Sequence, residues 1–266
     1  MIKVTVGDHV GRRSYGCDLS FVVLRVYEEN GQLVAVLKGL DTRLLATAPV
    51  ADLVRLYDDG STDMRHRRHR LRQVDEAEAS YFERYGLILH LDGDREFLAR
   101  SLNYYKTRGF EAVGFGIDEA EQAAKIPELL LKYQPELLVL TGHDGLIKNS
   151  DPTDLKSYHH SEDYARAVEA ARKLRPDLDD LVIFAGGCQS YFEALIRSGA
   201  NFASAPDRVL INDLDPSIVI AEINRVRVDQ LVPLEDVVEA TSTGAKGIGG
   251  VDTRGKRRRG LPAKEK

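Results

Sequence analysis

From Tyr81 to about Thr241 the chain alternates short apolar runs with amphipathic stretches, and this limits the possible folds more than any other feature. GLILHLDGD, FEAVGFGID, ELLVLTGHDG, DLVIFAGGC and RVLIND read as five strands. REFLARSLNYYKTRG, closed by Gly109, is the first intervening helix, and the second runs from about Asp118 to Tyr133. SEDYARAVEAARKLRP, ended by Pro176, and QSYFEALIRSG, ended by Gly199, are the next two. DPSIVIAEINRV and PLEDVVEAT follow the fifth strand. Strands separated by helices predict an α/β fold, with a mainly parallel sheet covered on both faces.

The flanking segments have a different texture. Residues 1–57 are β-rich, and the Asn30-Gly31 pair between Val/Leu/Tyr-rich runs is a hairpin signal. With Gly7-Asp8 leading into an apolar strand, this segment is expected to be a small, SH3-like β module. Residues 58–78 read as a basic flexible linker, 79–245 as the α/β domain and 246–266 as a basic flexible tail. The net charge of −5 conceals this division. RHRRHRLRQ at 65–73 carries +5 and residues 246–266 carry +6, which leaves −16 on the rest of the chain. An acidic body with two basic connectors does not present a nucleic-acid-binding face, so nucleic acid is not an expected partner.

The chain is 43% apolar, enough for a sizeable core, and no run approaches the roughly 20 apolar residues of a membrane span. Two cysteines are too few for a disulfide framework, and the N-terminus lacks a secretory apolar region. A soluble protein of a reducing compartment is expected, with no membrane partner. Sequence does not indicate the oligomeric state.

In an open parallel sheet the working groups gather beyond the carboxyl ends of the strands. Asp92-Gly93-Asp94, His143-Asp144-Gly145 and Gly186-Gly187-Cys188 fall there. The first resembles the acidic turn of receiver domains, but no lysine follows a later strand in the expected way. His143 and Cys188 end successive strands, so both can open into one crevice. A thiol needs an imidazole to hold it as thiolate, and the imidazole then protonates the leaving amine. A helix starting near Gln189 would aim its positive end at the sulfur. The backbone amides of Asp144, Gly145 and Cys188 are candidates for an oxyanion hole.

Plainer roles compete with these. A single cysteine after a strand is commonly a small buried hydrophobe, and a single histidine there is commonly a hydrogen-bonded turn residue. Cys17 and His90 read as structural, His66 and His69 as parts of a solvated linker, and His159 and His160 as solvated or capping. One Cys and one His lack the further ligands of a zinc site, though Asp144 or Asp92 could be imagined among them. No metal or other cofactor is expected.

A histidine after one apolar strand and a cysteine after the next resembles the caspase-like, clan CD cysteine peptidases. VGDHVGRRSYGCDLSF, LHLDGD, LLVLTGHDG, VIFAGGCQSYFEALI and IVIAEINRV together resemble the sporulation-specific YabG peptidase family. The resemblance implies a three-layer α/β/α caspase-like sandwich, with His143 as general base and acid and Cys188 as nucleophile. It also implies processing of spore coat and morphogenetic proteins, in the mother-cell cytoplasm and on the forming spore coat. One departure is visible: the clan's usual His-Gly is here His143-Asp144-Gly145. The acidic body and the habits of several clan members suggest cleavage after arginine. Asp213 and Asp215, with Asp144 behind them, are the candidate partners of the guanidinium. A non-catalytic coat-assembly scaffold and a cysteine amidohydrolase acting on a small amide are the alternatives.

Overall fold

The computed structural model describes residues 4–17, 19–40, 45–56 and 82–260. The chain divides into two units, Met1–Asp75 and Glu76–Lys266. The expected linker, 58–78, lies outside the described residues.

In the first unit, β1 (His9–Arg12), β2 (Phe21–Glu29), β3 (Gln32–Gly39), β4 (Leu45–Pro49) and β5 (Leu53–Arg55) form one antiparallel sheet. Its order is β4-β3-β2-β1-β5. Glu29 pairs with Gln32 across Asn30 and Gly31, whose φ angles are 49° and 77°. Positive φ at both central residues matches the right-handed strand twist, which is why Asn-Gly suits this two-residue turn. Val10, Phe21, Val23, Leu37 and Leu53 make the unit's core. Cys17 belongs to this unit, half-buried with its thiol against Gly11.

The second unit opens with β6 (Phe82–Arg84), β7 (Ile88–Asp92), α1 (Arg95–Thr107), β8 (Ala112–Gly116) and α2 (Glu119–Tyr133). It continues with β9 (Leu137–Thr141), α3 (Ser161–Leu174), β10 (Val182–Ala185), α4 (Phe192–Arg197) and β11 (Phe202–Ser204). Helices α5 (Asp215–Arg225) and α6 (Leu234–Glu239) and strands β12 (Ile248–Gly250) and β13 (Arg258–Gly260) complete it. The main sheet has the order β12-β11-β10-β9-β7-β8. Its strands are parallel except β12, which runs antiparallel to β11.

Alternate strand residues feed two cores. Leu89, Leu91, Leu138, Leu140 and Ile183 pack with residues of α2, α3 and α4. Ile88, Leu137, Val139, Val182 and Phe184 pack with residues of α1, α5 and α6. Near-continuous apolar strands such as Leu137–Thr141 follow from burial on both faces. The strand order reverses between β7 and β9, which creates a switch point where two crossovers leave in opposite directions.

Three expectations are corrected. RVLIND is not a strand: the fifth strand is Phe202–Ser204, buried and paired on both sides, while residues 208–213 form an irregular segment with Leu210 exposed. The helix after Cys188 begins at Phe192, because Gln189 adopts φ 56° and its amide bonds to Val209 O instead. Six residues long and three positions later, it does not start at the thiol. Finally, residues 246–260 are not a free tail. β12 extends the main sheet, β13 pairs with β6, and Thr253 and Lys256 are buried. The Lys256 ammonium donates to the Asp179 carbonyl, and Arg257 donates to Glu83 at 2.6 Å. A backbone carbonyl and an acid, both remote in sequence, thus receive the charges that suggested solvation. Residues 261–266 lie outside the described ones.

Candidate active site

At the switch point the carboxyl ends of β7, β9 and β10 open into a cleft of about 240 Å³. His143 and Cys188 both line it, together with Asp92, Phe97, Ile211 and Asp213. Cys188 is half-buried, and its Sγ lies 3.8 Å from the Ile211 carbonyl.

Two glycines bring the loops together. A Cβ on Gly187 would stand 2.6 Å from the Gly142 carbonyl and 3.3 Å from the Asp144 nitrogen. Only a bare backbone lets the Cys188 turn rest directly on the His143 turn. Gly142 has φ 149°, and a Cβ there would fall on the Glu119 carboxylate. That buried carboxylate accepts the His143 amide at 2.6 Å, and the Tyr164 hydroxyl donates to the His143 carbonyl at 3.2 Å. The backbone of His143 is thereby fixed from below, while its side chain stays 65% exposed. Its Nε2 is 3.1 Å from Asp94 Oδ2.

Asp144 joins the two loops. Its Oδ1 accepts from the Gly145 and His160 amides, both at 2.8 Å. Its Oδ2 accepts from the hydroxyls of Ser161 at 2.5 Å and Ser190 at 2.8 Å. Ser190 Oγ also accepts the Gly187 amide at 2.9 Å. The carboxylate is therefore filled by four internal donors and is not left for a substrate guanidinium. The Gly145 amide is spent in the same network. Of the three amides considered for an oxyanion hole, those of Asp144 and Cys188 make no hydrogen bond among the described residues.

The other acids separate clearly. Asp213 lines the cleft, and its Oδ2 accepts from Arg100 at 3.2 Å. Asp215 is fully buried and faces inward. It accepts from the Asn212 amide at 3.1 Å, the Ser242 amide at 2.7 Å and the Thr243 hydroxyl. It secures the start of α5 and does not contact the cleft. Asp215→Ala is expected to lower stability by about 2–3 kcal/mol, because the Ser242 amide and the Thr243 hydroxyl lose their acceptor. Any cleavage preference should stay unchanged. Urea unfolding and a digest of a peptide mixture check this, and an altered preference would return Asp215 to the cleft.

Asp92, 4% exposed, forms part of the cleft floor. A buried relay holds it: Thr141 Oγ1 donates to Asp92 Oδ2 at 2.8 Å and receives His90 Nε2–H at 2.7 Å. His90 Nδ1 lies 3.2 Å from the Tyr105 hydroxyl and its Nε2 3.5 Å from Asp92 Oδ2, so this buried ring is held on both sides and is structural. The Asp94 amide donates to Asp92 Oδ1 at 2.7 Å. Sequence reasoning placed Asp94 beyond a strand end but gave it no role, and it passed over Glu119 and Ser190 as parts of the site. The placement of Asp94 beyond β7, next to β9, was the available signal for it. Nothing local marks Glu119 or Ser190. Among the described residues no three His, Cys, Asp or Glu side chains are grouped as metal ligands. No helix among them is long and apolar enough to cross a membrane.

Comparison with known sequences assigns the class: the chain is a peptide hydrolase. A family model described as YabG peptidase U57 matches residues 5–262, and the chain belongs to that family. Over 288 aligned residues it is 39% identical to the sporulation-specific protease YabG of Bacillus subtilis (strain 168), with 99% of each chain covered.

Proposed function

We propose that the chain is a cysteine endopeptidase of sporulation, with Cys188 as nucleophile and His143 as general base and acid. Its substrates would be spore coat and coat-associated proteins, met in the mother cell. The observation that carries the reading is the shared cleft, where a thiol and an exposed imidazole sit on two loops packed backbone to backbone. The same layering of three helices on each sheet face supports a caspase-like, three-layer α/β/α domain. The five-stranded meander before it supports an SH3-like module.

In this mechanism His143 takes the Cys188 proton, and the thiolate attacks the scissile carbonyl carbon. The negative charge that forms on the carbonyl oxygen is received by the amides of Cys188 and Asp144. The imidazolium then protonates the leaving amine, and a thioester remains on Cys188. His143 next removes a proton from water, whose oxygen displaces the sulfur and releases the acid. With α4 starting at Phe192, the imidazole rather than a helix end is what activates the thiol.

We further propose cleavage after arginine, recognised by the cleft carboxylates of Asp92 and Asp213. Phe97, Ile211 and Pro216 supply apolar walls for the arginine stem. Wild-type protein is then expected to cut itself after arginine within residues 65–73, while Cys188→Ala stays full length. The run 254–259 is packed into the fold and should be spared. Intact-mass measurement over a prolonged incubation decides this. Wild-type protein that stays intact, or cuts after acidic or apolar residues, contradicts the arginine preference.

A further inference from the structure

We propose that Asp94 is a positioning residue for His143, an inference that rests on the thiol–imidazole reading above. Asp94 holds the ring in the tautomer with its proton on Nε2, leaving Nδ1 free to take the Cys188 proton.

A carboxylate offers only acceptors, so the ring nitrogen facing it must carry the hydrogen. At 3.1 Å that nitrogen is Nε2. The ring makes no other hydrogen bond among the described residues, so Asp94 alone sets the tautomer. Asp94 is itself held rigidly. It is the N-cap of α1, and its Oδ1 accepts the amides of Glu96 at 2.8 Å and Phe97 at 3.2 Å. Its own amide is tied to Asp92. With one oxygen committed to the helix, the other faces the imidazole. The Phe97 ring, 5.8 Å from the imidazole and tilted by 55°, limits its swing from the side.

Capping does not by itself call for a charge, since Asn and Ser cap helices about as well as Asp. The Phe97 amide first, then the Glu96 amide and the His143 ring, hold the Asp94 carboxyl below its usual range. Near neutral pH it is therefore an anion, which favours both Nε2–H and the imidazolium that forms after proton transfer. For an imidazole this exposed, such a partner replaces the restraint that burial would give.

The test uses Asp94→Asn and Asp94→Ser in a Cys17→Ala background, where Cys188 is the remaining thiol. Both variants keep a helix cap and remove the charge. The ¹⁵N shifts of the His143 ring, recorded with the imidazole neutral, should show Nε2–H in the parent. In Asp94→Asn the tautomer should be reversed, because the amide NH₂ then faces Nε2. Alkylation of Cys188 by iodoacetamide near neutral pH should slow at least tenfold in both variants, with melting temperatures preserved. An unchanged tautomer with alkylation within twofold of the parent would overturn the proposal. So would failure of both variants to fold, which would make Asp94 a residue of the fold alone. A parent thiol alkylated no faster than in His143→Ala would instead remove the thiol–imidazole reading on which this one stands.

Discussion

Cys188→Ala and His143→Ala are each expected to reduce peptide cleavage by about 10⁴-fold or more while leaving the fold intact. The two act in one covalent step, so the double variant should be little worse than either single one. Neither side chain is part of the two buried cores, so thermal unfolding should move little. Cys17→Ala should keep full activity, because its thiol belongs to the first unit. The check is a set of initial rates on one peptide mixture, read beside melting curves. An active Cys188→Ala, or a dead but folded Cys17→Ala, would overturn the assignment of the nucleophile.

Gly187→Ala should produce the next largest loss. The new methyl would meet the Gly142 carbonyl at 2.6 Å, and backbone cannot rotate away as a side chain does. The Cys188 turn must then move off the His143 turn, and the Gly187 amide must move relative to Ser190 Oγ. A loss of about 1–3 kcal/mol in stability is expected from overpacking. A shift of about 1 Å between reacting groups is expected to lower kcat about 10²-fold. Denaturant unfolding and kinetics on the same sample separate the two effects. A variant with wild-type kcat would mean that the contact between the loops does not set the geometry of the reaction.

Much of this architecture was legible in the sequence because it depends on local pattern. Runs such as LLVL at 137–140 and LVIF at 181–184 are buried on both sheet faces, and the helix of residues 161–174 shows its apolar stripe directly. His143 and Cys188 stood out because they close two adjacent runs of that kind. What was not legible depends on distant partners. Phe202–Ser204 is a strand because β10 and β12 pair with it, although RVLIND carries the longer apolar pattern. Lys256 and Arg257 look solvated until Asp179 and Glu83 are brought beside them by the fold. Asp215 looks like a cleft residue until Ser242 and Thr243 return from 27 and 28 positions away to fill its oxygens. Asp94 has two roles at once, and only the helix-capping one is written in its neighbours.

In the proposed mechanism a thiolate on Cys188, generated by His143, attacks the peptide carbonyl. Covalent labelling with an arginyl chloromethyl ketone peptide, followed by peptide mass mapping, tests this step. One adduct per chain is expected, on Cys188, formed rapidly in the wild type and at least about 10²-fold more slowly in His143→Ala. An adduct on another residue, or labelling of Cys188 that does not depend on His143, would contradict it.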